Sequence, residues 1–99
     1  MDPADLGDGI RLHVLPNPSN GHVLLEGRVP AAVVDLASVA IYDVAGRMLV
    51  DAHVRLSGGD FAFEWDGRDG HGNRMGTGTY FVRVRAGSEV LEEKITLLR

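Results

Sequence analysis

The sequence contains no cysteine. Disulfide bridges, thiol nucleophiles and thiolate metal sites are therefore excluded. Long apolar runs are also lacking: residues 31–34 are among the longest, whereas a membrane-spanning helix needs about 20 apolar residues. We therefore expect no membrane insertion. The first residues include Asp2 and Asp5, where a signal peptide would be basic and then apolar, so we expect any export signal to lie elsewhere in a longer protein.

Basic residues are few. The chain has 10 Lys and Arg residues against 14 Asp and Glu residues, which gives a net charge of −4. Proteins that bind nucleic acid carry clustered basic residues, so no nucleic-acid partner is expected. Aromatic residues make up only 6% of the chain, but hydrophobic residues reach 44% of its 99 residues. This composition is sufficient to fill one core, and the length indicates one domain.

Apolar and polar residues alternate along most of the chain, which is typical of half-buried strands. Segments rich in Gly, Pro, Asn and Ser separate the alternating runs, as turns do. The pattern predicts an all-β fold, an immunoglobulin-like antiparallel β-sandwich of about seven strands. The alternating apolar positions are Ile10, Leu12 and Val14; Val23, Leu25 and Val29; Val39 and Ile41; Met48, Val50, Ala52, Val54 and Leu56; Phe61, Phe63 and Trp65; Tyr80, Val82 and Val84; and Ile95 and Leu97.

The same pattern predicts the core and the limits of the domain. Trp65, Phe63 and Tyr80 are the largest candidates for core residues. The polar, Gly-containing residues 1–9 are expected to form a tail or the end of an upstream linker, with the domain over residues 10–99. Residues 31–36 favour a single turn of helix.

Catalytic motifs are not found in the sequence. Its histidines, serines and carboxylates follow no Gly-x-Ser-x-Gly pattern, and a domain this small has little room for a water-excluding pocket. His13 and His53 fall at polar positions of their strands, where exposure to solvent is the ordinary expectation. We therefore predict no enzyme activity, no catalytic residues and no cofactor.

Residues 66–73 form a loop rich in Gly, Asp and Asn. Asp66, Asp69 and Asn73 are weak candidates for a cation site, because calcium prefers several converging oxygen ligands. No Glu follows at the EF-hand distance, and arginines interrupt the series, so the favoured interpretation is a set of tight turns and no metal. The glycines lead into a predicted strand and not into a helix, which argues against a phosphate-binding loop.

Phe81 falls on the outward side of its predicted strand. An exposed aromatic ring can serve as a binding hot spot or as a platform for a carbohydrate. The favoured interpretation is a ring that a neighbouring loop covers, because scattered apolar side chains are common on protein surfaces.

Three further segments carry most of the functional information. Residues 16–21 read Pro-Asn-Pro-Ser-Asn-Gly, residues 78–80 read Gly-Thr-Tyr, and the sequence closes with Lys-Ile-Thr-Leu-Leu-Arg. In this order they resemble the type A C-terminal sorting domain of the type IX secretion system, an Ig-like module related to the hook-capping flagellar domain. The matching residues are Pro16, Pro18, Gly21, Gly78, Tyr80, Lys94, Ile95, Leu97 and Arg99.

The resemblance implies a non-catalytic secretion address. It implies a cargo domain fused N-terminally, recognition by an outer-membrane translocon and a shuttle protein, and processing by a sortase. The location would be the surface of a Gram-negative bacterium, or the medium around it, reached through the periplasm. The last strand and the segment from Gly78 to Tyr80 would be the elements read by the receptor, and an exposed last strand would suit pairing with a receptor strand.

Two alternatives stay open at this point. Segments around Tyr42 and Trp65 also look like the wider hook-capping superfamily, which would make the domain a structural Ig-like module or the stalk of a larger secreted protein. An accessory carbohydrate-binding domain is the other alternative, with Phe81 or residues 66–73 as the binding surface.

Overall fold

The computed structural model describes residues 9–29 and 35–99, and it confirms the all-β prediction. Within these ranges, seven antiparallel strands form two sheets, one with the order β1-β2-β5 and one with the order β4-β3-β6-β7. The sheets pack face to face as an Ig-like sandwich. The strands are β1 (Arg11–Leu15), β2 (Val23–Arg28), β3 (Leu36–Asp43), β4 (Met48–Arg55), β5 (Asp60–Trp65), β6 (Gly78–Ala86) and β7 (Glu89–Leu97).

Alternation along the strands builds the core. The apolar residues of one parity point between the sheets, and those of the middle strands β2, β3 and β6 are almost completely buried. Burial of this apolar area is the main stabilising contribution to the fold. The completely buried side chains include Val23, Leu25, Val39, Ile41, Val82, Val84, Ile95 and Leu97.

Trp65 and Tyr80 meet where the two sheets face each other. Their ring centroids are 5.4 Å apart and the rings are inclined at 66°, an edge-to-face arrangement that aromatic quadrupoles favour. Each ring also satisfies its polar atom: Trp65 Nε1 donates to the carbonyl of Arg68 at 2.8 Å, and the Tyr80 hydroxyl donates to the carbonyl of Gly76 at 2.7 Å. The pair therefore fixes the loop between β5 and β6 as well as the core.

Phe63, one of the predicted core residues, packs against the core cluster without being fully buried. It faces inward but is only half-buried, whereas Phe61 on the same strand is 5% exposed. The reason is that β5 is an edge strand, and Phe63 borders an opening toward β4 that Leu49 and Val50 also line. Phe63 is therefore a peripheral core residue.

A bulge changes which side of β4 is buried at its start. The alternation predicts that Met48 points inward, yet Met48 is 48% exposed and Leu49 is 4% exposed. Ile41 of β3 pairs with Val50 and Tyr42 pairs with Met48, so Leu49 is the extra residue of the bulge. Because a bulge shifts the parity by one residue, Met48 is transferred to the outer face of the sheet.

Two expectations concern segments that the structure describes only in part. Of the tail predicted over residues 1–9, the structure describes Gly9 alone. The turn of helix expected over residues 31–36 falls mostly on residues outside the described ranges, and its last residue, Leu36, is the first residue of β3.

Candidate functional site

The three segments that suggested a sorting role come together at one end of the sandwich. Gly78 pairs with Leu97, and Tyr80 pairs with Ile95, along the antiparallel contact of β6 with β7. On the other edge of β7, Ser19 of the Pro-containing loop forms a parallel bridge to Leu97. The end of β7 is therefore held between β6 on one side and residues 16–21 on the other.

Asn17 and Ser19 cover the outer edge of β7. The side-chain amide of Asn17 donates to the carbonyl of Lys94 at 3.1 Å and accepts from the backbone N–H of Thr96 at 3.0 Å. The backbone N–H of Ser19 donates to the carbonyl of Thr96 at 2.9 Å, and the Ser19 carbonyl accepts from the N–H of Leu98 at 2.7 Å. We call this set of four hydrogen bonds the β7 clasp.

The β7 clasp corrects the expectation of an exposed last strand. The outward-facing backbone groups between Lys94 and Leu98 are already paired. An uncovered strand edge would be a template for association with other chains, and these hydrogen bonds remove that template. The earlier part of the same edge, at Val90 and Glu92, carries exposed side chains. In the folded domain, a receptor strand would therefore meet a closed edge over the residues that carry the last motif.

Ser19 is the anchor of the Pro-containing loop. It is the buried polar residue at the centre of this end, with only 2% of its surface exposed. Its hydroxyl donates to the carbonyl of His22 and accepts from the N–H of Gly21 at 3.1 Å. These bonds satisfy a polar group that would otherwise be costly to bury, and they close the turn before β2. The peptide bonds that precede Pro16 and Pro18 are both cis.

Arg99 folds back onto the loop between β5 and β6. Its backbone N–H donates to Thr77 Oγ1 at 2.9 Å. The guanidinium donates to the carbonyls of Met75 and Gly67, the second at 3.2 Å. Gly67 permits this approach because a Cβ there would lie 2.5 Å from the guanidinium of Arg99. Its φ of +74° also favours glycine. A side chain at Gly21 would also meet that guanidinium, at 3.0 Å.

The motif residues divide into buried and exposed groups. Gly21, Tyr80, Ile95 and Leu97 are buried, which corrects the expectation that Tyr80 is read directly by a receptor. Tyr80 is buried because it has the inward parity of β6 and packs on Trp65. Gly78 is half-buried. The exposed side chains are Pro16, Pro18, Lys94 and Arg99, and they are the motif side chains that a partner can contact in the folded domain.

In the loop of residues 66–73, the carboxylate oxygens of Asp66 and Asp69 accept hydrogen bonds from within the loop itself. Asp69 accepts from the backbone N–H groups of Asn73 and His71, both at 2.9 Å, and from the Asn73 side chain. These bonds hold the pKa of Asp69 below its ordinary value, the bond from the Asn73 N–H having the largest effect. Asp66 accepts from the N–H of Arg68 at 3.0 Å. Within residues 9–29 and 35–99, no group of three or more His, Asp or Glu side chains is arranged to hold a metal ion.

The histidines considered for catalysis lie far from a common site. His13 is exposed on the outward side of β1, and His53 is exposed on the outward side of β4, in the other sheet. In the part of the chain that the structure describes, there is also no helix long and apolar enough to cross a membrane.

Comparison with protein families identifies the fold more closely. A family model of the FlgD Ig-like domain matches residues 17–89. The match spans every strand except β1 and most of β7, and it includes the loop that forms the β7 clasp. No curated protein sequence matches the chain significantly.

Solved structures contain similar domains as small parts of long proteins. Dimeric latent PorU from Porphyromonas gingivalis aligns over 90% of this chain with a TM-score of 0.70 and 21% identity. PorZ, an essential surface component of the type IX secretion system of the same bacterium, aligns over 89% with a TM-score of 0.61 and 24% identity. The cell-surface-expressed chitinase ChiW from Paenibacillus sp. FPU-7 aligns over 91% with a TM-score of 0.63 and 14% identity.

At these identities the likeness shows a shared fold. The chain spans 9% of PorU, 11% of PorZ and 8% of ChiW, so it corresponds to one domain of each.

Proposed function

The chain belongs to the FlgD Ig-like domain family, and from that premise we propose that it is a non-catalytic sorting module of the type IX secretion system. The module directs an attached cargo protein across the outer membrane to the cell surface of a Gram-negative bacterium. Its partners are the outer-membrane translocon and shuttle protein, which recognise it, and a sortase, which processes it. The similar domain of PorZ, a surface component of that secretion system, supports this proposal.

One observation carries the proposal. Three motif segments that are far apart in the sequence meet around the end of β7, and the first and last of them carry exposed side chains there. The buried members, Tyr80, Ile95 and Leu97, hold the segments together, while Pro16, Lys94 and Arg99 face the solvent. A receptor can therefore recognise the assembled end of the sandwich through side chains from separate parts of the chain.

The test is surface delivery of a reporter. Residues 10–99 are fused behind an exported fluorescent protein in a bacterium with a working type IX translocon. We expect the fusion to reach the surface and the Lys94→Ala variant to be delivered less efficiently, because Lys94 is an exposed motif residue. Arg55→Ala is the matched control, since Arg55 is also an exposed cation at a strand but belongs to no motif.

A second variant separates recognition from folding. Removal of residues 94–99 takes away one partner of all four hydrogen bonds of the β7 clasp, together with the buried Ile95 and Leu97, so its effect on folding is measured by Trp65 fluorescence of the purified domain. Surface delivery that survives this truncation would contradict the proposal. Equal delivery of the Lys94→Ala variant and the intact fusion would remove Lys94 from the recognition surface.

A structural Ig-like module is the second candidate, and the similar domain within the multi-modular chitinase ChiW favours it. In this case the domain would space or support its neighbours and would need no translocon. An assembly role predicts association of the isolated domain at high concentration. Sedimentation that shows monomer alone would argue against assembly, and it would leave a stalk role for the secretion assay to decide.

A further inference from the structure

The outer face of the four-stranded sheet carries a row of side chains that extends across all four strands. Met48 pairs with Tyr42, Tyr42 pairs with Phe81, and Phe81 pairs with Lys94. The bulge in β4 brings Met48 into this row. Phe81 has an aromatic neighbour: both it and Tyr42 are half-buried and lie side by side in the sheet.

A shallow groove opens beside the two rings. It has a volume of about 350 Å³, and its lining residues are Tyr42, Asp43, Val44, Gly46, Phe81, Arg83 and Glu92. Val44 is 72% exposed, which is unusual for an apolar side chain. Ala40 stands opposite Arg83 in the next row, so a small side chain follows the rings along β3. The volume is at the lower end of the range found for small-ligand sites, about 300–1,000 Å³.

The charge of this face differs from the charge of the protein. Its outward-facing charged residues on the strands comprise four cations and two anions, while the whole chain has a net charge of −4. On the outer face of the three-stranded sheet, the outward positions of the strands hold two cations and three anions, and no aromatic residue. The residues on the first face are Arg55, Arg83, Arg85, Lys94, Asp51 and Glu92.

Two arginines of β6 are placed to bind an anion beside the rings. Phe81, Arg83 and Arg85 follow one another on the same side of the strand, about 7 Å apart at each step. Arg83 forms an ion pair with Glu92, with Nε 3.8 Å from Oε2. This distance is too long for a hydrogen bond, so the N–H groups of Arg83 can still donate to a ligand. Arg85 has no ion-pair partner among the residues that the structure describes.

From this arrangement we infer that the outer face of the β4-β3-β6-β7 sheet binds an acidic polysaccharide. The C–H face of a sugar ring packs on Tyr42 and Phe81, and carboxylate or sulfate groups of the chain bind Arg83 and Arg85. The excess of cations over anions along the strands of this face favours an anionic ligand, while Asp43 and Glu92 line the groove itself. The narrow apolar row favours a polymer over a globular protein, because a stable protein interface buries about 800 Å² on each partner around an apolar centre.

The inference is independent of the sorting role. Arg83, Arg85, Tyr42 and Phe81 belong to none of the three motif segments. Lys94 lies at the end of the row but also belongs to the last motif. Lys94 is therefore left unchanged in the test, so that loss of glycan binding and loss of secretion are measured on different residues.

The test is affinity electrophoresis of the intact chain with three polymers. Polygalacturonate offers sugar rings with carboxylates, polyglutamate offers carboxylates without sugar rings, and dextran offers sugar rings without charge. We expect retardation by polygalacturonate alone, decreasing as NaCl is added because the arginine contacts are exposed to screening. Equal retardation by polyglutamate would identify a site for acidic protein segments and would overturn the inference, as would no retardation by any polymer.

Variants locate the site. Phe81→Leu removes the ring but keeps an apolar side chain, and Arg85→Ser removes one cation. We expect each to weaken polygalacturonate binding about tenfold, the scale of one stacking or charge-assisted contact. Arg28→Ser, an exposed arginine on the outer face of the other sheet, is the matched control and should leave binding within about twofold. Thermal unfolding monitors the fold, and well-folded variants that bind normally would place the site elsewhere and refute the inference.

Discussion

Asn17 and Lys94 are 77 residues apart in the sequence, and the side-chain amide of Asn17 donates a hydrogen bond to the backbone carbonyl of Lys94 at 3.1 Å. The same side chain accepts from the N–H of Thr96. The Asn17 side chain therefore takes the place of a neighbouring strand at this edge of β7, next to the two backbone hydrogen bonds of Ser19. The loop of residues 16–21 is therefore bonded to the four-stranded sheet, although it leads into β2 of the three-stranded sheet.

The β7 clasp predicts a specific cost for losing Asn17. Asn17→Ala removes two hydrogen bonds from an edge strand, so we expect the free energy of unfolding to fall by about 1–2 kcal/mol. Hydrogen exchange at the N–H of Thr96 should become faster. Asn20→Ala in the same loop is the matched control, since Asn20 is exposed and forms no hydrogen bond within the described residues. Equal stability of the two variants in denaturant unfolding would show that the clasp contributes nothing.

The contact of Arg99 with the loop between β5 and β6 depends on Gly67. Gly67→Ala places a Cβ 2.4 Å from the carbonyl oxygen of Gly21 and keeps a φ of +74° that alanine disfavours. We expect a loss of about 2 kcal/mol or more in unfolding free energy. Gly70→Ala is the control in the same loop, because its nearest neighbour would be 3.7 Å away and its φ is not positive. A smaller loss for Gly67→Ala than for Gly70→Ala would contradict this packing.

The bulge in β4 predicts opposite behaviour of two neighbouring residues. Leu49→Ala should destabilise the domain by about 2–4 kcal/mol, because it empties part of the core. Met48→Ala should cost less than about 1 kcal/mol, since Met48 lies on the outer face. Chemical denaturation of both variants measures the difference. If Met48→Ala were the more damaging change, the bulge would be misplaced and the simple alternation correct.

The turn around Asp69 predicts a pH effect. The Asp69 carboxylate accepts three hydrogen bonds, so an NMR titration of the folded domain should give Asp69 a pKa below the ordinary value of 3.8. Because the pKa is lowered on folding, Asp69 stabilises the folded domain when the pH is above the ordinary pKa. This contribution is lost as the pH falls through the pKa of the folded state. Asn73→Ala removes the side-chain bond and should raise the pKa of Asp69 toward 3.8. An unchanged pKa in that variant would show that the side-chain bond has no effect.

Much of the fold follows from the sequence because alternation is a local property. Strands such as β6, with Tyr80, Val82 and Val84 on one side, can be recognised without knowing their partners. Met48 shows the limit: the extra residue at Leu49 exists only relative to β3, so no pattern within β4 reveals it. The half-burial of Phe63 could not be predicted either, because the edge position of β5 depends on the order of the strands in the sheet.

The sequence motifs predict which segments act together, but they do not predict how these segments are arranged in space. The motif order indicated that Pro16, Tyr80 and Lys94 belong to one functional unit, and the structure gathers their segments at one end. The β7 clasp could not be predicted from the motifs, because Asn17 lies between two motif prolines and is not itself a motif residue. The signal that could have indicated it is an asparagine between prolines, in a loop whose polar groups need hydrogen-bond partners. The row from Met48 to Lys94 needed the register of three strand pairs.

The most direct test of the sorting role compares one fusion in two strains. A fluorescent cargo that carries residues 10–99 is produced in a bacterium with its type IX translocon and in the same bacterium without it, and the fraction of cargo open to external protease is measured in both. We predict surface exposure in the first strain and periplasmic retention in the second. The same protease-accessible fraction in both strains would contradict the account and would leave a structural Ig-like module in its place.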